Sequence, residues 1–142
     1  MRISAKADYA VRALLVLARL SGPDAPPVTV DRMAREGDIP PRFLEGILAE
    51  VRRAGLVDSK RGADGGYRIA RDPADIGVAE IVRVIDGPII QVAGRDPNDV
   101  AYPPGLAAIG DVWRAAGDAA GHAMEAVTLD DLLSGGAPDF QI

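Results

Sequence analysis

The sequence contains no cysteine and only one histidine, His122, among its 142 residues. The absence of cysteine excludes disulfide bonds, thiolate zinc sites, cysteine-ligated iron-sulfur clusters and a cysteine nucleophile on this chain. One histidine cannot build a multi-histidine metal site, and a histidine-dependent catalytic constellation is hard to assemble around it. The sequence therefore predicts no metal centre and no cofactor, and it does not predict an enzyme.

Aromatic residues are scarce, at 4% of the sequence, and no apolar run approaches the roughly 20 residues that span a bilayer. The first residues also lack the apolar core of a signal peptide, so we expect a cytoplasmic protein without membrane contact. A composition of 48% hydrophobic and 26% charged residues is near the globular average. We therefore expect one folded core built mainly from leucine, isoleucine, valine and alanine.

The overall charge of −5 hides a separation of charge along the chain. Residues 1–71 contain 13 basic and 9 acidic side chains, whereas residues 72–142 contain 3 basic and 12 acidic ones. An electropositive first half can bind a polyanion while the acidic second half stays away from it. The alternative is a chance asymmetry of surface composition.

Three helices are predicted in the first half. Apolar spacing indicates a helix over residues 4–20, capped by Ser4. Thr29 caps a short second helix, which Gly37 ends by adopting the left-handed conformation. Pro41 suits the first turn of a third helix, which Gly55 closes. Two helices joined by a short turn, after another amphipathic helix, match a helix-turn-helix arrangement.

A β-hairpin follows, with predicted strands at residues 56–59 and 67–70. Its glycines permit positive φ angles and let the loop approach another surface without a Cβ atom. The hairpin would form a wing, whose characteristic residues are Gly62, Gly65, Gly66 and Tyr67. A fourth helix around residues 78–85 ends at Asp86-Gly87-Pro88.

The C-terminal part contains an irregular stretch, a long helix and a short capped helix. Residues 89–105 are interpreted as a linker or sensing loop, and residues 106–134 as the dimerisation helix with the terminal helix that Thr128 caps. Gly110, Gly117 and Gly121 each cost roughly 1 kcal/mol within a helix, which suggests close contact with another backbone. Simple packing within one chain is the alternative. The residues predicted for dimerisation are Leu106, Ile109, Trp113, Ala116 and Ala120, and residues 135–142 are predicted to be a tail.

The candidate functional residues lie on the outward face of the third helix and in the wing. Arg42, Glu45 and Gly46 occupy positions that a recognition helix presents to the major groove, where arginine binds guanine and glutamate accepts from cytosine. Arg61 at the hairpin tip suits the minor groove. The candidates for phosphate contacts are Lys6, Arg12, Arg52, Arg53 and Lys60. The alternative for each of these residues is an ordinary solvated surface charge.

Several sequence runs, taken together, carry a family resemblance. They are MRISAKADYA (1–10), PRFLE (41–45), RAGLV (53–57), GGYR (65–68) and DGP (86–88), with TLDDLL (128–133) extending the match. The chain resembles the Rrf2 family of bacterial winged-helix regulators, the group that includes IscR, NsrR and CymR. The resemblance implies a mainly α fold with a small β-hairpin, in which a winged helix-turn-helix domain over residues 1–88 precedes a long C-terminal dimerisation helix. It also implies a homodimer that binds double-stranded DNA with the third helix in the major groove and the wing in the minor groove.

The sequence departs from many members of that family at the loop before the long helix. Those relatives hold an iron-sulfur cluster there through cysteines, and residues 91–105 contain none. Some relatives supply a further ligand near Asp8, which we interpret here as a charge favourable to the start of the first helix. The expected effector is then a small molecule or a protein, and Tyr102 with residues 89–92 would line a pocket for it.

Two functions follow from this sequence. The first is a sequence-specific transcriptional regulator, a repressor that binds an inverted repeat as a homodimer. The second is a protein-interaction module that keeps the winged-helix scaffold and regulates a partner enzyme or regulator.

Overall fold

The computed structural model describes residues 1–136 and confirms a mainly α fold with one small hairpin. In chain order the elements are α1 (Ala5–Arg19), α2 (Val30–Gly37), α3 (Pro41–Arg53), β1 (Val57–Lys60), β2 (Gly66–Ile69), α4 (Val78–Asp86), α5 (Ala108–Glu125) and α6 (Leu129–Leu133). Two short 3-10 helices lie at Pro73–Asp75 and Pro97–Asp99. Most of the predicted tail, residues 137–142, lies outside the described residues.

The predicted helix starts are confirmed by their capping contacts. The Ser4 hydroxyl accepts a hydrogen bond from the Ala7 amide at 3.0 Å, and the Thr29 hydroxyl accepts from the Arg32 amide at 3.2 Å. Pro41 is the first residue of α3, and Thr128 forms a capping box with Asp131. Each contact satisfies an amide that the helix itself leaves without a partner.

The turn between α2 and α3 differs from the prediction at one residue. Gly37 is the last residue of α2, and Asp38 adopts the left-handed conformation instead, with φ of 49°. Aspartate tolerates this conformation better than most residues. A Cβ atom at Gly37 would lie 2.7 Å from the end of the Ile39 side chain, which would have to shift to make room for it.

The core is centred on α1. Leu14 and Leu17 are buried against the apolar stripe of α3, which is formed by Leu44, Ile47, Leu48 and Val51 as the spacing predicts. Helices α2, α4 and α6 and the second strand also pack on α1. Removing each such leucine from water stabilises the fold by roughly 1.5–3 kcal/mol. The core therefore holds α3 by one face and leaves its other face exposed.

The wing is an antiparallel hairpin in which Val57 pairs with Ile69 and Lys60 with Gly66. Its first strand begins one residue later than predicted, and its second begins and ends one residue earlier. Val28 forms a further bridge to Tyr67, with both backbone hydrogen bonds at 2.8 Å. A Cβ atom on Gly66 would lie 2.4 Å from the Val28 carbonyl oxygen, so this glycine serves the chain's own packing.

Helix α5 packs on α4 and on the loop that precedes α5. Within the chain, its glycines lie next to side chains rather than next to another backbone. Cβ atoms added at Gly110, Gly117 and Gly121 would lie 3.1 Å from the Tyr102 ring, 3.6 Å from Ile90 and 2.7 Å from Arg83. The helix begins at Ala108, so Leu106 lies in the turn before it.

Helix α6, the short terminal helix, packs on the first helix of the chain. It returns to α1, where Leu129 is fully buried within the core. The amide of Leu129 also donates to the Ile76 carbonyl at 3.0 Å. Among residues 1–136, no helix combines the length and apolar character needed to cross a membrane.

Candidate nucleic-acid interface

The outward face of α3 carries the predicted base-contacting residues. Arg42, Glu45, Gly46 and Ala49 are all exposed, on the side opposite the buried stripe. The first turn of α3 contains no acidic residue, so the positive end of the helix dipole is not offset there. This face can therefore approach an anionic surface with its N-terminal end.

Gly46 lies in the middle of this face, and nothing is within 4 Å of the position where its Cβ atom would be. A glycine inside a helix costs about 1 kcal/mol relative to alanine. The packing of the described chain does not require that cost, in contrast to Gly66. A binding partner that approaches α3 closely at this position would leave no room for a larger side chain.

Aromatic rings support the Arg42 side chain. Its guanidinium lies 5.0 Å from the centroid of the Phe43 ring, and that ring lies 5.1 Å from the ring of Tyr9. The Arg12 guanidinium lies 5.3 Å from the Tyr9 ring on the other side. Cation–π contacts of this kind restrict the guanidinium and leave its N–H groups available for hydrogen bonds. Sequence reasoning missed this role of Tyr9 and Phe43, although the adjacent Arg42-Phe43 pair was a signal.

The exposed face of the wing is formed by Asp58, Lys60 and Arg68, and the exposed Arg61 follows in the tip. Asp58 and Arg68 are paired in register, so they project from the same face. The sequence-based assignment omitted Arg68, which the two-residue alternation of a strand could have identified. Tyr67, one of the predicted wing residues, is half-buried and belongs to the packed face.

The glycines of the tip shape the hairpin itself. Gly62 has φ of 108°, and its carbonyl accepts from the Gly65 amide at 3.0 Å. A Cβ atom on Gly65 would lie 2.3 Å from the Lys60 carbonyl oxygen. The turn therefore accounts for Gly62 and Gly65, and it presents Arg61 to solvent.

Basic side chains without a carboxylate partner are concentrated in these two elements. Within residues 1–136, nine of the sixteen lysines and arginines have no carboxylate oxygen within 4 Å. Six of these nine lie in α3 and the wing: Arg42, Arg52, Arg53, Lys60, Arg61 and Arg68. Arg71, just after the wing, is engaged by Glu80 at 2.7 Å, and the hydrogen bond to that carboxylate raises the pKa of Arg71.

Two of the predicted phosphate-contacting residues are engaged within the chain. Lys6 bonds to Glu50 of α3 at 2.7 Å. Arg12 pairs with Asp8 at 2.6 Å and donates to the Asp38 carbonyl at 3.2 Å. Both cations thus hold α1 to the helix-turn-helix. Asp8 is the partner of Arg12 in this arrangement.

A second exposed surface lies on α5 and the turn before it. Leu106, Ile109 and Val112 are 59%, 44% and 58% exposed, and Ala116 is also exposed. Trp113 and Ala120, which were also predicted to form the dimer contact, are half-buried. Trp113 lines a cavity of its own chain with Ile90, and Tyr102 packs on Gly110 rather than lining that cavity. Val112 is the residue of this surface that the sequence analysis missed.

Comparisons with known proteins show which family this chain is similar to. The model of the Rrf2 family, described as iron-dependent transcriptional regulators, matches residues 3–135. A protein of Mycobacterium tuberculosis, provisionally described as an HTH-type transcriptional regulator, is 40% identical over 139 residues, which cover 98% of this chain and 85% of that protein. The HTH-type transcriptional regulator CymR of Bacillus subtilis is 31% identical over 134 residues, covering 94% and 91% of the two chains.

Solved structures show the same fold. IscR of T. potens is similar with a TM-score of 0.74 and 30% identity, over 100% of this chain and 92% of that one. CymR, the global cysteine regulator of B. subtilis, is similar with a TM-score of 0.76 and 30% identity, over 94% and 97%.

The donor set of this chain does not fit the iron dependence that the family description implies. The sequence has no cysteine, and no group of three or more histidine, aspartate or glutamate side chains suited to a metal occurs within residues 1–136. The His122 ring nitrogen Nδ1 is 2.7 Å from the Asp118 carbonyl of its own helix. The function proposed for this chain therefore does not involve iron.

The relatives named above are regulators of transcription, so the expectation of a regulator rather than an enzyme is confirmed. The winged-helix fold, the family match over residues 3–135 and the relative at 40% identity all point the same way. The chain belongs to the Rrf2 family of DNA-binding transcriptional regulators.

Proposed function

We propose that the protein is a homodimeric repressor that recognises an inverted repeat in double-stranded DNA. The observation that carries the proposal is that six cations on α3 and the wing have no carboxylate partner among residues 1–136, in a protein whose net charge is −5. Cations that have no intramolecular partner can exchange their counterions for phosphates, and this exchange drives DNA binding.

Base recognition is assigned to α3 and to the wing tip. Arg42 binds a guanine edge and Glu45 accepts from a cytosine amino group, while Gly46 permits close approach. Arg61 enters the minor groove. Arg52, Arg53 and Lys60 contact phosphates, and Arg68 joins them because it lies on the exposed face of the wing. Lys6 and Arg12 support α3 through their contacts within the chain.

Dimerisation is assigned to the exposed apolar face formed by Leu106, Ile109, Val112 and Ala116. Apolar side chains that remain exposed on one helix face are stabilised when a second copy covers them. The alanines along the same helix let two such helices approach closely. A two-fold dimer presents two equal recognition helices, so its operator is an inverted repeat. A dimer that occupies promoter DNA also excludes other proteins from it, which favours repression.

Selection from a pool of random duplexes, followed by fluorescence anisotropy at several salt concentrations, tests the proposal. We expect a palindromic site, with an affinity that falls steeply as salt rises. Arg61→Ala should weaken binding and reduce the salt slope by about one. Arg95→Ala removes the same charge from the loop before α5 and serves as the control, which should leave the slope unchanged.

An interaction that is insensitive to salt, or a pool without any enriched sequence, contradicts the proposal. If no duplex is enriched and a pull-down recovers a stoichiometric protein partner, the protein is better interpreted as a protein-interaction module. If Arg61→Ala and Arg95→Ala change DNA affinity equally, the wing does not contact DNA.

A further inference from the structure

A cavity of about 330 Å³ lies between α4, the loop that follows α4, and α5. This volume is at the small end of the range for ligand pockets. Pro88, Ile89, Ile90 and Trp113 provide apolar and aromatic wall, and Asp96 and Asp118 add carboxylates. Arg83 and Arg114 also line it.

The charges around this cavity are not balanced. Arg83 is bound by Glu125 at 2.6 Å and Arg114 by Asp111, and neither of these carboxylates lines the cavity. Asp96 and Asp118 do line it, and neither has a cation within 4 Å in the part of the chain that the structure describes. The two arginines are thus compensated and the two carboxylates are not, so the cavity favours a positive charge.

A divalent metal ion does not fit this cavity well. Two carboxylates without a third anionic or imidazole ligand fall short of a metal site, and residues 1–136 contain no group of three such side chains. One Asp96 oxygen already accepts from the amide and the side chain of Asn98, at 2.8 and 2.9 Å.

We propose that this cavity binds a small organic cation, that is, an ammonium group carried by an apolar or aromatic body. The ammonium is held by Asp118, with Asp96 adding to the negative potential. The body lies against Trp113 and the neighbouring isoleucines, where an aromatic face also attracts a cation. This site needs no DNA and goes beyond the proposed function, so each can fail without the other.

The tryptophan of the cavity provides a direct readout, because Trp113 is the only tryptophan in the chain. Its fluorescence is followed while four probes of similar size are added: phenethylamine, 2-phenylethanol, 3-phenylpropionate and phenylalanine. We expect a saturable change with phenethylamine, a weaker one with phenylalanine, whose carboxylate meets the same negative potential, and none with the other two at equal concentration.

Two matched variants identify the residue that holds the cation. Asp118→Asn should weaken phenethylamine binding about tenfold or more, since it removes a charged hydrogen-bond acceptor. Asp130→Asn makes the same change on α6, outside the cavity, and should leave binding unchanged. Thermal unfolding of both variants confirms that they are folded.

The proposal is wrong if phenylpropionate, phenylethanol or phenylalanine binds as tightly as phenethylamine, or if none of the four probes binds. It is also wrong if the two variants affect binding equally. A further titration uses manganese chloride. If manganese quenches Trp113 fluorescence saturably and Asp118→Asn abolishes the quenching, the cavity binds a metal ion instead.

Discussion

Substitution of Gly46 should change the stability of the fold and the affinity for DNA in opposite directions. Gly46→Ala should stabilise the free protein by about 0.5–1 kcal/mol, because alanine favours the helix and the position is open. The same methyl group should weaken operator binding by about tenfold, since it intrudes on a close contact. Thermal unfolding and anisotropy measure the two effects. A variant that gains stability and keeps full affinity would show that α3 does not approach DNA at Gly46.

We expect the ion pair between Lys6 and Glu50 to contribute to the stability of the protein. Glu50 is partly buried, and its second carboxylate oxygen is buried without a hydrogen-bond partner among residues 1–136. Lys6→Met should therefore destabilise the protein by about 1–2 kcal/mol, and the double variant with Glu50→Met should recover most of that loss. Urea unfolding measures both. Removing the exposed pair of Asp8 and Arg12 is the control, with an expected cost below about 1 kcal/mol.

At the scale of the elements, α5 has two faces with different functions. Its glycines and Trp113 face its own chain, whereas Ile109 and Val112 remain exposed. Val112→Glu should convert the proposed dimer into a monomer, because it places a charge in the centre of the proposed apolar contact. Sedimentation measures the mass, and the monomer should also lose operator affinity.

The control for this variant is Leu133→Glu, which adds the same charge at an exposed leucine of α6. It should leave the dimer intact. If the dimer persists with Val112→Glu but dissociates with Leu133→Glu, the interface lies on α6 rather than on α5.

At the scale of the whole molecule, the Arg83–Glu125 pair joins α4 to α5, and it makes their association sensitive to acid. The hydrogen bond from Arg83 lowers the pKa of Glu125 below its ordinary value. A carboxyl group with a lowered pKa in the folded state stabilises the protein at neutral pH, and this stabilisation is lost as the pH falls through that lowered pKa.

We therefore expect wild type to be more stable than Glu125→Gln at neutral pH, with a difference that stays constant down to about pH 5 and disappears in more acidic solution. Urea unfolding across the pH range measures this difference. If the difference in unfolding free energy between wild type and Glu125→Gln is unchanged at the most acidic pH, the charge of Glu125 does not cause it.

The separation of charge along the chain is also a property of the whole molecule. Six of the nine cations without a carboxylate partner among residues 1–136 lie on α3 and the wing, and the acidic second half carries the net negative charge. DNA binding by an acidic protein is then understandable, because the local surface rather than the net charge determines the potential near a phosphate.

Much of the fold could be predicted from local chemistry. Ser4, Thr29, Pro41 and Thr128 mark helix starts because capping involves residues only two or three positions apart. The buried stripe of α3 followed from helical spacing. The exposed positions of Arg42, Glu45 and Gly46 followed from that stripe, since a helix that buries one face exposes the other.

The contacts between distant residues were decided by the tertiary structure alone. Ser4 is bound by Asp86, 82 residues away, and Lys6 by Glu50, 44 residues away. Neither partner could be identified from spacing. Similarly, periodicity shows that a helix has small residues on one face, but it does not show what covers that face, and the glycines of α5 proved to accommodate Tyr102 and Arg83. Local interactions were thus readable from the sequence, whereas long-range pairings depend on how the elements pack.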